Sequence, residues 1–175
     1  MATFVLVPGM CHGGWWFEPL VDALADAGHR GIAVTPAGLG PEGLTGLVNL
    51  DTHVEDVIAA CDDAGDRIVL VGHSYGGMLI SGAADRLGSR VAALVYLDAL
   101  VPRDGDSSYT ATNDEERSWY IEASGETGLA VPPLPFFDDR AQPHPLATLI
   151  QRLPLTGAWD AVPVKHFAEA LQWPG

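Results

Sequence analysis

Ile68-Val-Leu-Val-Gly-His-Ser-Tyr-Gly-Gly77 is the stretch whose reading decides the fold. Arg67 to Val71 carries a short, β-branched, uniformly apolar run, the pattern of a strand buried on both faces. Tyr75 to Leu87 reads as a helix. Between them Gly72, Ser74 and Gly76 satisfy G-x-S-x-G. A serine there sits on a sharp, strained strand-to-helix turn. The flanking glycines are needed because side chains would collide with neighbouring backbone, and the helix N-terminus favours developing negative charge. The alternative is a chance motif match, and the strand–turn–helix context argues against it.

Working outward, Phe4 to Val7 is another apolar strand, and Pro8-Gly-Met-Cys-His-Gly-Gly14 is a glycine-rich loop after it. Trp15 to Ala27 has helical periodicity, with Gly28 as a stop. Gly31 to Thr35 reads as a strand and Pro36 to Asn49 as a loop. Asp51 can cap a helix to about Ala64, with Val54, Val57, Ile58 and Cys61 on one face. Val91 to Leu97 is the fourth strand. This alternation predicts an α/β fold, a mostly parallel sheet with helices on both faces, over residues 1–101. Residues 102–160 hold many prolines and only short apolar segments, which predicts an inserted lid with short helices near Glu115–Ala123 and Pro145–Arg152. Residues 161–175 are expected to return to the core, with Val162 to Leu171 either a strand or a helix.

The formal net charge of −14 argues against nucleic-acid binding, which needs clustered Lys and Arg. Cys11 and Cys61 read as free thiols. No metal-ligand cluster, cofactor motif, basic leader or long apolar run stands out, so a cytoplasmic protein without a cofactor or membrane span is expected.

The loop after the first strand would bring a backbone N–H opposite the elbow. Met10 N–H and Tyr75 N–H are therefore the candidate oxyanion-hole donors. His12 reads as a loop-holding residue, and the alternative for the whole loop is a glycine turn without a catalytic part. Phe4-Val-Leu-Val-Pro-Gly-Met-Cys-His-Gly-Gly-Trp-Trp, Leu24-Ala-Asp-Ala-Gly-His-Arg and Val71-Gly-His-Ser-Tyr-Gly-Gly-Met78 together resemble the α/β-hydrolase branch of plant methyl esterases and hydroxynitrile lyases. The Pro143-His-Pro-Leu and Thr156-Gly-Ala-Trp-Asp segments are similar to bacterial members. The resemblance covers residues 3–102 well and the lid loosely. It implies a Ser-His-Asp triad, with Ser74 as nucleophile and Met10 and Tyr75 at the oxyanion positions, acting on small esters, thioesters or lactones.

The sequence departs from that branch in places. The oxyanion loop begins Pro8-Gly9 where the family has His-Gly, and the lyases carry a threonine where Gly9 stands. The lyases also use a lysine from a C-terminal segment that has no match in this sequence, so a cyanohydrin lyase is not expected. In the family the catalytic histidine lies in a tail after the last strand, further along the chain than Gly175. Among the histidines present, His73 reads as packing, His29 lies at the opposite end of the sheet, His53 is expected to be solvated at a helix start, and His166 falls near a strand start. His144 in the lid is the candidate base, and the alternative for it is a lid or substrate contact. Asp98, ending the strand after the elbow helix, is the candidate acid, and its alternative is a loop-anchoring aspartate.

Trp15, Trp119 and Phe136 are candidate substrate contacts, with Trp16, Tyr120, Phe137 and Trp159 also available. Packing of lid against core is the plainer role for most of these aromatics. The function these residues point to is hydrolysis of a small ester or thioester through an acyl-enzyme on Ser74. An acyltransferase using the same acyl-enzyme, and a non-catalytic binding protein without the final histidine, are the alternatives. A short sheet would leave an unpaired edge, from which a homodimer is expected.

Overall fold

The structure is a computed structural model that describes residues 1–65 and 67–171. Five parallel strands form one sheet: β1 (Thr3–Val7), β2 (Arg30–Ala33), β3 (Ile68–His73), β4 (Val91–Leu97) and a last strand, Lys165–Ala168, in the order β2-β1-β3-β4-last. The 162–171 stretch thus returns as a strand. Chain order reverses at β1: β2 pairs on one side, and β3 on the other. Such a switch point leaves a crevice outside the carboxyl ends of two adjacent strands, the place where α/β sheets carry their sites.

Alternation along the strands assigns the two faces. Val5, Val7, Leu70, Leu94 and Tyr96 join one cluster with Val54 and Val57 of α2 (Leu50–Ala60) and Met78, Leu79 and Ala83 of α3 (Gly76–Leu87). Leu6 and Val71 pack on the other face with Phe17 and with Leu20, Val21 and Leu24, which lie on α1 (Glu18–Asp26). Phe4, Val69, Val95 and Leu97 on that second face are only partly buried.

Some boundaries move for identifiable reasons. The helix expected from Trp15 opens as a 3-10 turn over Gly14–Phe17, before α1. Asn49, not Asp51, caps α2: its side chain accepts from Thr52 N–H while Thr52 Oγ1 accepts from Asn49 N–H, a reciprocal capping box. In the 102–160 stretch lie α4 (Ser108–Ala111), α5 (Asp114–Ala123) and α6 (Leu146–Ile150). Between α5 and α6, β5 (Ala130–Val131) pairs with β6 (His144–Pro145), which makes the last sheet strand β7 (Lys165–Ala168). Asp85 of α3 ties the next segment down by accepting from Thr156 N–H at 2.7 Å and Trp159 N–H at 3.0 Å. Cys11 and Cys61 are buried free thiols.

Candidate active site

Register places the site. Val7 pairs with Gly72, so the Pro8–Gly9 turn leaves the sheet beside His73 and Ser74. A Cβ at Gly9 would lie 2.9 Å from His73 Nδ1 and 3.1 Å from Ser74 Cβ, so the first loop lies directly against the elbow. On the other side His73 pairs with Leu97. Ser74 N–H donates to Leu97 O at 3.3 Å, and Leu100 N–H donates to Ser74 O at 3.0 Å.

Ser74 has φ +51°, a left-handed conformation that a residue with a Cβ adopts at a cost of about 1–2 kcal/mol. The glycines around it are required by contact. A Cβ at Gly76 would overlap Val7 O, and one at Gly77 would overlap Leu100 O. The elbow is therefore clasped between the ends of β1 and β4. Ser74 itself is half-buried, and among the described residues its Oγ has no hydrogen-bond partner. α3 begins at Gly76, so its N-terminal N–H groups and dipole lie beside the serine.

The Pro8–Gly14 loop is held from several directions. His12 Nδ1–H donates to Met10 O at 2.5 Å, and Gly14 N–H donates to Thr35 Oγ1 at 2.8 Å. Cys11 has φ +66°, and the 102–160 stretch holds its backbone at both ends. Gln142 N–H donates to Cys11 O at 2.9 Å, and Cys11 N–H donates to His144 Nδ1 at 3.1 Å. Met10 and Tyr75, the candidate oxyanion residues, are both buried.

The structure corrects the place of His144. Its ring is fully buried, and burial holds its pKa well below the ordinary imidazole value. A backbone N–H can only donate, so Nδ1 presents its lone pair to Cys11; Nε2 then carries the proton and donates to Thr148 Oγ1 at 2.9 Å. A general base needs a free lone pair, and the lone pair of this histidine is already used. His53 also differs from expectation. It is not solvated but fully buried, with Nε2–H donating to Ala37 O at 2.8 Å and Nδ1 accepting from the Tyr75 hydroxyl at 3.0 Å. Burial lowers its pKa, which keeps it neutral. The signal lies in the sequence: Leu50, His53, Val54 and Val57 follow helical spacing and form one buried stripe.

His73 stacks on Trp16, with ring centroids 4.4 Å apart, and burial pushes its pKa down to about 4. Its Nδ1 is buried without a hydrogen-bond partner among the described residues. His29 Nδ1 accepts from Ala2 N–H at the far end of the sheet, and His166 is exposed on β7. None of the six histidines is hydrogen-bonded to Ser74.

Asp98 lies at the carboxyl end of β4 with φ +46° and an exposed side chain. Its N–H donates to Ala168 O at 2.7 Å, and Oδ1 accepts from Ala170 N–H at 3.4 Å, which is an anchoring contact to the end of β7. No histidine is bonded to it among the described residues. The three candidate substrate aromatics have separate surroundings. Trp15 lies under the Arg140 guanidinium, Trp119 packs against the main core, and Phe136 is exposed beside Phe137. A groove next to Trp15 is lined by Glu18, Asp22 and Thr35, not by the serine. Among the described residues no group of His, Cys, Asp and Glu could hold a metal ion, and no helix is long and apolar enough to cross a membrane.

Residues 4–174 match the Alpha/beta hydrolase family. The carbendazim hydrolyzing esterase of Nocardioides sp. (strain SG-4G) is 49% identical over 110 residues, 61% of this chain and 46% of that protein. The (S)-hydroxynitrile lyase of Manihot esculenta is 31% identical over 140 residues, 72% of this chain and 54% of that one. The chain thus spans about half the length of these relatives. An extracellular alpha/beta-hydrolase from a Paenibacillus species superposes with a TM-score of 0.83 at 23% identity, over 95% of this chain and 76% of that one.

Proposed function

Because the chain belongs to the alpha/beta hydrolase family, we propose that Ser74 is the nucleophile of an esterase acting on a small-molecule ester. The observation that carries this is the backbone of Ser74, held at φ +51° by glycines that no larger residue could replace. Strain of this kind persists where the surroundings over-determine it, and it marks functional turns. The 49%-identical relative, named an esterase, supports the ester class. In the first half-reaction Ser74 Oγ attacks the ester carbonyl carbon while a base takes its proton. The carbonyl oxygen becomes an oxyanion facing Met10 N–H and Tyr75 N–H. Collapse expels the alcohol, which takes the proton back, and leaves an acyl-enzyme. Water then repeats the sequence and releases the acid.

The proton acceptor is neither His53 nor His144, whose lone pairs already accept hydrogen bonds. Asp98, exposed at the carboxyl end of the neighbouring strand, is the acid proposed to orient it, through the oxygen not engaged by Ala170. The test is intact-mass analysis before and after a fluorophosphonate, beside Ser74→Ala. A probe mass gained by wild type alone supports the assignment. An unlabelled wild type removes it and favours a binding protein that keeps the fold.

A further inference from the structure

Two fully buried histidines, His53 and His144, lie beside the Tyr75 ring, with ring centroids 5.9 Å and 4.7 Å from it and 5.7 Å from each other. Neither is hydrogen-bonded to the serine. Each has one nitrogen fixed as a donor and the other as an acceptor from a residue next to, or forming, the candidate oxyanion hole. The helix α2 holds His53; Ala37 O fixes its Nε2–H; and Nδ1 holds the Tyr75 hydroxyl. Thr148 holds His144 Nε2–H, and Nδ1 holds Cys11 N–H, one residue past Met10. Thr148 is itself fixed, since its hydroxyl donates to Pro145 O at 2.8 Å.

We infer that His53 and His144 are positioning residues for the oxyanion hole, His144 setting the Met10 side through Cys11 and His53 setting the Tyr75 side through its hydroxyl. This rests on the esterase proposal for the meaning of the hole, but not for the geometry. Both rings must stay neutral to serve, because a protonated Nδ1 would face a donor. Oxyanion stabilisation depends on donors aimed at where charge develops, so a loop displaced by a fraction of an ångström loses rate before it loses affinity.

The test uses His144→Leu, which removes the acceptor, and His144→Asn, whose Oδ1 can stand near the place of Nδ1. His53→Leu and His53→Asn form the matching pair, and Thr148→Val is the milder variant should a leucine variant fail to fold. The inactivation rate constant and the binding constant of a fluorophosphonate are read separately, well below each variant's unfolding midpoint. Amide hydrogen exchange is followed at Met10, Cys11 and Tyr75. The leucine variants are expected to lower the maximal inactivation rate by about 10–100-fold with the binding constant unchanged, and the asparagine variants to recover most of it. Faster exchange in the leucine variants, at Met10 and Cys11 for His144 and at Tyr75 for His53, accompanies the loss. Equal rates in folded leucine variants and wild type overturn the inference, as does a loss shared equally by leucine and asparagine. If wild type itself is not labelled, the esterase proposal falls. The exchange then decides the positioning alone: unchanged protection in the leucine variants overturns it, and selective loss sustains it.

Discussion

If the elbow is strained, replacing its serine by glycine must release that strain, and replacing it by alanine must not. Ser74 sits at φ +51°, where a Cβ costs about 1–2 kcal/mol and glycine pays nothing. Glycine also widens the unfolded ensemble, which offsets about 0.4–1 kcal/mol of that release. The net expectation is that Ser74→Gly is more stable than Ser74→Ala by about 0.5–1 kcal/mol. Alanine itself should lie near wild type, because the Ser74 Oγ has no hydrogen-bond partner to lose among the described residues. For a chain of this size about 1 kcal/mol moves the midpoint by about 2–4 °C, so the glycine variant should melt about 2 °C higher. Calorimetry of the two variants at neutral pH measures the gap with chemistry removed from both. A glycine variant melting at or below the alanine variant would refute the strain, and with it the main support for a catalytic Ser74.

Gly77→Ala drives a Cβ into the Leu100 carbonyl oxygen and is expected to cost about 1–3 kcal/mol in chemical denaturation; an unchanged midpoint would show that the elbow can relax. Asp98→Asn should slow fluorophosphonate labelling by about 10⁴-fold if Asp98 orients the base. Labelling at the wild-type rate would leave it only as the anchor of Ala170. Burial tends to raise the Asp85 pKa, but the N–H donors of Thr156 and Trp159 outweigh it and hold the carboxyl below its usual range. Its contribution is therefore fully present above the unfolded value of about 3.9 and is lost as pH falls through the folded value. Asp85→Asn should cost about 1–2 kcal/mol at neutral pH, with the gap to wild type closing in acid. A gap independent of pH would deny the carboxylate that role.

The elbow turn and the sheet were legible because local geometry dictates their residue types. The elbow needs glycine at positions 72, 76 and 77 for contacts made within a few residues or with adjacent strand ends. The β-branched runs at Phe4, Ile68 and Val91 likewise carry their strand character in their own side chains. The histidines were not legible in this way. An imidazole is base, acid, ligand or strut according to what holds its second nitrogen. For His144 that partner is Cys11, 133 residues away in the chain. The Pro143-His-Pro setting shows only that the ring sits in a fixed turn, not that it points into the first loop. His53 lay in between. Its partner Tyr75 is 22 residues off, but its burial was written in the spacing Leu50, His53, Val54, Val57, since a polar residue on a buried stripe must find hydrogen bonds inside. The same reasoning separates the site into two kinds of residue. Those that set backbone shape announce themselves in sequence, while those that set proton positions are defined by contacts, and here the contacts of the two fully buried histidines lead to the first loop and the elbow, not to the serine hydroxyl.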